Sequence, residues 1–398
     1  MIPFSLLTVH ALGLSILASF VPYKIYPAVF IATAVLFLLL GFKRKSGWLI
    51  APTVFFIFSF AVFILVNEAD GDNTTAIVKL AVNFFLLSSV CASGLKGLEG
   101  METQSLSLLE KYVRIAILLL FAQVAFFQLK AGGIQLSSDD SYQAGLIFVE
   151  RNLFWGVADK NILGAKIAIY GFLHSVLYYK VNGRVGVFFP ALIIFSALLS
   201  LSRTSSLIYG LFGVVFFFYS LKLQPRTKVT VLFLFGVLAG LFILPKLADF
   251  FRLSNITNLD YSDGMGLRLI YWIALFTNLD HVSWHGNGIL SGGDFLQKYA
   301  AFYNGEPNLH NIFLNTFLDL GFLGLCFYAS IWLCYYKRLK MFGLKSLVVA
   351  FLIAPLFMLV NSLYTAYDSD PWIYMAVLFL VISLDSRRAL FPQINLSK

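Results

Sequence analysis

The chain has 398 residues, of which 59% are hydrophobic and 12% are charged, and its mean hydropathy of +0.83 lies far above the range of soluble globular proteins. Apolar runs of about 20 residues, the length of a transmembrane helix, recur along the whole sequence, which excludes a soluble enzyme with one membrane anchor. The formal net charge of +9 resides mainly in alternate loops. We interpret it as a topology signal and predict no nucleic-acid partner.

The hydropathy pattern predicts an all-α, polytopic membrane protein with about twelve transmembrane helices, which form a single integral membrane domain over residues 1–398. The predicted spans are 4–21, 25–42, 48–66, 76–95, 112–129, 161–179, 185–202, 205–221, 229–247, 312–334, 346–363 and 372–384. The first span has no basic leader and no small-residue cleavage site, so we interpret it as a retained helix.

Loop charge predicts the orientation of these spans, because Lys and Arg are retained on the cytoplasmic side. Every second loop is basic, with the sequences KRKSG, KVNGR, KLQPRTK and KRLKMFGLK, and the C-terminal tail is basic as well. The intervening loops NEADGDN, SSDDSY and YDSDP are acidic or mixed. An even number of spans with both termini in the cytoplasm satisfies the whole pattern.

Two predicted outer loops are longer than turns, at 130–160 and at 248–311, between the ninth and tenth spans. Loops of this length in a compact bundle are usually functional. The second contains GLRLIYWIALFTNL, which is apolar but too short to span. We predict a helix at the outer membrane interface, with Tyr271 and Trp272 at headgroup depth.

A histidine lies where this outer loop meets the tenth span, in EPNLHNIFLNTFLDLGFLG. An imidazole that is wet on one side and shielded on the other suits proton transfer near neutral pH. The alternative interpretation of His310 is an interfacial helix cap, with Asn311 binding the first-turn amides. Gly321 and Gly324 share one side of the helix, a pattern that favours close approach of a second membrane helix.

Two arginines also lie on the predicted outer side. Arg203 occupies a very short turn, where it either has an anionic partner or extends to the interface. Arg268 opens the apolar segment of the large loop, and its guanidinium either binds phosphate oxygens or anchors lipid headgroups. Convergence of both arginines with His310 would form a site for a lipid diphosphate.

Lys79, Arg114 and Lys166 fall within or near spans, where they either line a polar cavity or extend to the interface. Asp319 lies inside the tenth span and would pair with a buried cation or orient a helix. The sequence contains no recognisable zinc signature and no Ser-His-Asp order. We therefore predict neither a metal nor a cofactor.

The motif HNIFLNTFLDLGFLG resembles the signature of the O-antigen ligase and O-antigen polymerase family, a His, then Asn, Ser or Gln, nine residues, a Gly, and a small residue three further on. GLRLIYW with Arg268, HGNGI, and LSRTSS with Arg203 also resemble family features in the same order. DKNILGAK with Asn161 is a looser match. The resemblance covers roughly residues 150–335.

This resemblance implies a GT-C-like, metal-independent, inverting glycosyltransferase at the periplasmic face of a bacterial inner membrane. Its donor would be an oligosaccharide on undecaprenyl diphosphate, and its acceptor a second lipid-linked repeat unit or the lipid A core, with membrane lipids and a chain-length regulator as further partners. By similarity, Arg203 and Arg268 would bind the diphosphate, and His310 would activate or position the acceptor hydroxyl. The weaker substrate-binding candidates are Asn311, Asn161, Lys166 and Trp272.

Several activities remain open at this point. The compact HGNGILSGGDFL segment before the His motif resembles polymerase-type members more than ligases, so we predict a repeat-unit polymerase, with a ligase as the alternative. A flippase for lipid-linked glycans is an alternative of another class, although no related halves are visible in the sequence. A structural scaffold is disfavoured by the cost of placing arginines near the membrane.

Overall fold

A computed structural model of the chain describes residues 3–19, 25–41, 47–66, 71–93, 95, 98, 100–130, 133–134, 160–183, 186–202, 205–206, 209–210, 224, 226–227, 230, 264–341 and 365–390. The named helices within these ranges are α1 Phe4–Ala18, α2 Tyr26–Leu39, α3 Ile50–Val66, α4 Gly71–Ala92, α5 Glu102–Lys130, α6 Lys160–Asn182, α7 Phe188–Leu199, α8 Gly264–Thr277, α9 Gly292–Tyr299, α10 Ile312–Met341 and α11 Ser369–Leu390. A short 3-10 turn, Leu279–His281, lies between α8 and α9.

The described helices fit a multi-pass membrane protein. Four are long and apolar enough to cross a membrane by length and composition, over Asp72–Ala92, Glu102–Leu129, Ile162–Asn182 and Ile312–Lys337. Six shorter apolar helices have 10–17 residues. The predicted spans at 205–221, 229–247 and 346–363 lie almost entirely outside the described residues, so the number twelve and the GT-C-like architecture stay predictions.

The bundle is held together mainly by apolar packing. α4 packs against α2, α3 and α11, α5 packs against α1 and α6, and α10 packs against α3. Phe55 of α3 reaches both Tyr328 of α10, at 5.3 Å between ring centroids, and Trp372 of α11, at 6.2 Å. All three rings are fully buried, and such aromatic contacts add to the free energy gained from apolar burial.

Charged and titratable groups inside the bundle have partners. Lys166 of α6 donates to Asp370 of α11 at 2.6 Å. Glu110 of α5 binds Arg114 one turn further on and lies 3.0 Å from His174 of α6. Pairing of this kind offsets the cost of burying a charge.

Helix α10 is broken at Gly321, which has φ 66° and ψ −169°. The break frees the carbonyl groups of Leu318 and Asp319, and these accept hydrogen bonds from the backbone amides of Asn287 and Gly288 at 2.9 and 3.1 Å. A loop outside the helix thereby satisfies the backbone groups that the break exposes.

The close approach at Gly321 is to this loop, so the prediction of helix–helix packing there was wrong. A Cβ atom at Gly321 would collide with the backbone carbonyl of Trp284. The atoms nearest a Cβ at Gly324 belong to Leu320 of the same helix. Glycine is needed at position 321 because the loop backbone occupies the place of a side chain and because φ is positive.

A second, smaller core lies outside the bundle, in the region 264–320. Helix α8 confirms the predicted helix in the large outer loop. Its buried residues pack with those of α9 and the start of α10 in a cluster of Leu267, Tyr271, Leu275, Phe295, Leu296, Leu309 and Leu318. The side chain of Tyr271 is fully buried within this core, and the depth of Tyr271 and Trp272 in a membrane stays a prediction.

Candidate functional site

The site is built where one face of α8 meets the strained segment before α10. Tyr271 and Trp272 lie three and four residues after Arg268, which places both of them beside Arg268 on the helix surface. The indole Nε1 of Trp272 donates to the carbonyl oxygen of Leu309 at 2.9 Å. The ring of Tyr271 stacks nearly parallel to that of His310, with 6.3 Å between centroids.

His310 has a backbone conformation that a residue with a side chain rarely adopts, with φ 52°. Three asparagines hold this conformation. The amide of His310 donates to Asn308 Oδ1 at 3.0 Å, and the amide of Leu309 donates to Asn315 Oδ1 at 2.8 Å. Asn311 caps the first turn of α10 directly after His310. Strain that the surroundings hold in this way is typical of functional sites.

Burial, and after it the positive charge of Arg268, lowers the pKa of His310 from its ordinary value to about 3. The imidazole is therefore neutral near pH 7. Its Nε2 atom lies 3.8 Å from a carboxylate oxygen of the half-exposed Glu306, which is too far for a hydrogen bond. A neutral imidazole can accept a proton from a hydroxyl or orient that hydroxyl.

Arg268 is 7% exposed, and no carboxylate in the described part of the chain lies within ion-pair distance of it. A guanidinium cannot lose its proton in a protein, so it stays charged in this setting. Burial without an anion is costly. The guanidinium presents a fork of donors that suits phosphate oxygens, and a phosphate ligand at Arg268 stays a prediction.

The other predicted site residues are placed as follows. Asn311 caps α10, because its Oδ1 atom accepts from the amides of Phe313 and Leu314 at 3.0 and 3.1 Å, as the alternative interpretation expected. Lys166 is engaged by Asp370. Asn161 lies in the first turn of α6, but its side chain, like the whole of Arg203, is outside the described residues.

Sequence reasoning missed Asn308 and Asn315, which fix the backbone on both sides of His310. An Asn two residues before a histidine, binding its amide, is a common turn pattern and could have been a signal. The role of Asp319 was only partly foreseen. Its carboxylate accepts from the amide and hydroxyl of Ser291 at 3.1 and 3.2 Å and from the hydroxyl of Tyr367 at 3.1 Å.

No group of three or more His, Cys, Asp or Glu side chains arranged to hold a metal ion occurs within the ranges that the structure describes. The two histidines that flank the glycine-rich loop, His281 and His285, thus have no such cluster around them there. The absence of a metal requirement stays a prediction.

The described residues form an all-helical structure that fits a multi-pass membrane protein, with a buried arginine, Arg268, whose charge acts on His310. A family model described as O-antigen ligase matches residues 188–329, which confirms the predicted resemblance to the O-antigen ligase and polymerase family. The match supports an enzyme with O-antigen ligase- or polymerase-type activity in general terms. Searches of curated proteins and of solved structures gave no match.

The matched range includes four of the predicted site residues on the outer side, together with the position of Arg203, and it excludes Asn161 and Lys166. The excluded lysine is also the one with an internal ion-pair partner. The described centre of the candidate site is therefore the pair formed by His310 and Arg268, and the substrate-binding roles of the weaker candidates stay predictions.

Proposed function

We propose that the protein transfers a glycan from undecaprenyl diphosphate to a sugar hydroxyl of an acceptor at the periplasmic face of the inner membrane, as a repeat-unit polymerase of O-antigen or a related surface polysaccharide. The observation that carries the proposal is the buried Arg268, without a carboxylate partner in the described ranges, next to the neutral His310. Both residues lie within the O-antigen ligase family match.

In this proposal the acceptor oxygen attacks the anomeric carbon, and the bond from that carbon to the diphosphate breaks in a single inverting step. Undecaprenyl diphosphate leaves with the bonding electron pair. Arg268, with Arg203 as a second proposed contributor, stabilises the negative charge that develops on the leaving group. The proton of the acceptor hydroxyl passes to the imidazole of His310. No metal takes part in the proposed step.

The donor itself would prepare His310 for this role. At a pKa of about 3 the imidazole is a weak base before substrate binds. The negative charge of a diphosphate on Arg268 would oppose the guanidinium charge that disfavours the imidazolium. Donor binding is therefore expected to raise the pKa of His310 and make it a better proton acceptor when the acceptor sugar arrives.

A ligase is the second candidate, because the matched family is described as O-antigen ligase. In that case the acceptor would be a sugar of the lipid A core. The donor and the roles of Arg268 and His310 would be unchanged, so the two candidates differ only in the acceptor.

The test is incubation of the purified protein with a lipid-linked oligosaccharide, with and without lipid A core, in the presence of a chelator. Chain growth without core would identify a polymerase, and transfer only in the presence of core would identify a ligase. The absence of any reaction would overturn the proposed function and favour transport.

The site assignment is tested with Arg268→Ala and His310→Ala in the same assay. We expect each to lower transfer at least about 100-fold, because each removes a group that acts on developing charge or on the transferred proton. His281→Ala and Lys298→Ala are matched controls, since both change exposed side chains of the same outer region. Full activity of Arg268→Ala and His310→Ala at normal expression would overturn the assignment.

A further inference from the structure

A cavity of about 730 Å³ lies beside the candidate site, between the outer ends of the bundle helices and the loops of the outer region. Its volume is in the range of small-molecule sites, about 300–1,000 Å³. The described lining comes from the end of α3, the first turns of α4, the loop before α9, α9 itself, the segment before His310 and the segment before α11. The lining residues on which the argument depends include Thr75, Lys79, Ser291, Asp294, Asn308 and Asp368.

The chemistry of this lining differs from that of the Arg268 site. Among the described lining residues, hydroxyl, amide and carboxyl groups predominate, and there are three aspartates but one cation, Lys79. Burial raises the pKa of Asp368 above its ordinary value, and the charge of Lys79 offsets part of that increase. An anionic ligand would therefore find little net positive charge here, whereas a neutral ligand with many hydroxyl groups would find both donors and acceptors.

The cavity and the candidate site share one piece of backbone. Pro307 and Asn308 line the cavity, and the side chain of Asn308 accepts the hydrogen bond from the amide of His310. A ligand in the cavity would thus contact Asn308, which lies two positions before the proposed proton acceptor and binds its backbone amide. This placement suits a molecule that presents a hydroxyl group to His310.

The wall of the cavity is held in one arrangement. Asp319 joins Ser291 and Tyr367, both of which line the cavity, through its two carboxylate oxygens. Asn83 of α4 donates to the carbonyl oxygen of Tyr367 at 2.9 Å. Four separate parts of the chain are thereby tied together, and a site that is ordered before binding avoids part of the entropic cost of binding.

We propose that this cavity is the subsite for the acceptor, and that it binds an uncharged sugar of the acceptor glycan while the diphosphate of the donor binds at Arg268. This inference rests on the proposed function, because the terms donor and acceptor apply only to a transfer reaction. The cavity is rich in amide and carboxyl groups, whereas the candidate site contains the buried guanidinium of Arg268. This difference in chemistry is the reason for assigning the two substrates to different places.

The experiment measures binding of a sugar that carries no diphosphate. The probe is the oligosaccharide released by mild acid from the host's own lipid-linked donor, added to the purified full-length protein and followed by saturation-transfer NMR. Thr75→Trp, an exposed lining position in the first turns of α4, places a large ring in the cavity. Val78→Trp is the matched control, since Val78 is exposed on the same helix and does not line the cavity.

We expect the oligosaccharide to bind the wild type, Val78→Trp and Arg268→Ala alike, and to bind Thr75→Trp at least about tenfold more weakly. Asp294→Ala, which removes one acceptor group without filling space, should weaken binding roughly two- to fivefold. Inorganic diphosphate should not displace the oligosaccharide from the wild type.

Failure of this inference is distinguishable from failure of the proposed function. Absence of oligosaccharide binding to the wild type, equal binding to Thr75→Trp and Val78→Trp, or displacement by inorganic diphosphate would each overturn the cavity assignment, even if the wild type transfers glycan. Oligosaccharide binding that depends on the cavity, in a protein with no transferase activity, would support the sugar site and overturn the proposed function.

Discussion

Lys166 in the helical bundle and Arg268 in the region 264–320 are the buried lysine and arginine among the described residues, at 5% and 7% exposure. Lys166 has Asp370 at 2.6 Å, whereas Arg268 has no carboxylate partner within the ranges described and lowers the pKa of His310 instead. Two similarly buried charges therefore differ in their surroundings. In the bundle the charge is paired with a carboxylate, whereas Arg268 acts on an imidazole, and its role in binding a ligand is a proposal.

The largest expected effect concerns the ion pair between Lys166 and Asp370. Lys166→Ala leaves Asp370 buried without its partner and should lower the free energy of unfolding by about 3–5 kcal/mol. The double variant Lys166→Met, Asp370→Leu should recover most of that loss, because it removes both charges. Thermal unfolding in detergent measures both. A normal stability of Lys166→Ala with a large loss of activity would instead indicate the substrate-binding role predicted from the sequence.

The role of Arg268, which has no carboxylate partner among the described residues, is tested by Arg268→Met. This variant keeps most of the side-chain length. We expect the free energy of unfolding to change by less than about 1 kcal/mol, while transfer falls by a factor that corresponds to about 2.7 kcal/mol or more of transition-state stabilisation. Unfolding curves measure the change in the free energy of unfolding, and initial rates measure the change in transfer. A loss of stability as large as that of Lys166→Ala would mean that Arg268 is structural, as a bundle charge is.

The backbone contact between the two regions is tested by Gly321→Ala. The added methyl group collides with the carbonyl of Trp284, and the backbone conformation of position 321 costs about 1–3 kcal/mol for a residue with a side chain, so the total loss of stability should exceed that amount. Gly293→Ala is the control, because a Cβ there makes only ordinary contacts at 3.5 Å. Equal thermal stability of the two variants would contradict the broken geometry of α10.

The pH dependence of folding sharpens the contrast further. The folded pKa of His310, about 3, lies below the unfolded value of about 6.5, so the unfolded chain binds more protons between these pH values. Stability should fall as the pH is lowered through this window, by at most about 1.4 kcal/mol per pH unit. His310→Gln should reduce this slope, and Arg268→Met should reduce it partly by raising the pKa of His310.

Unfolding at pH 5 and pH 7 is the measurement, with His281→Gln as a control at an exposed imidazole. An unchanged slope in His310→Gln would show that burial of this imidazole does not contribute to the acid sensitivity of the protein.

The smallest expected effect concerns the start of α10. Asn311→Ala removes the cap and should cost about 1 kcal/mol of stability, and Asn311→Asp should restore most of it, since a carboxylate also accepts from first-turn amides. Activity per folded molecule separates the two interpretations of this residue. If both variants are inactive when folded, Asn311 also binds substrate.

Much of the architecture was predictable, because hydropathy and helix length are local properties of the sequence. The helix at 266–279, the polar cap at Asn311 and the family resemblance were all apparent from short segments. The break at Gly321 was not, since it depends on a loop more than 30 residues earlier. The pairing of Lys166 with Asp370 across 204 positions of the chain was equally beyond any local pattern.

The sequence by itself indicated an all-helical membrane protein with a histidine and an arginine in one long loop between apolar runs, because apolar runs and charged residues determine which segments leave water. Only the tertiary structure decided which buried charges among the described residues have a carboxylate partner. Burial and distance between remote segments set that difference, and neither quantity exists until α8, α9 and the start of α10 pack together.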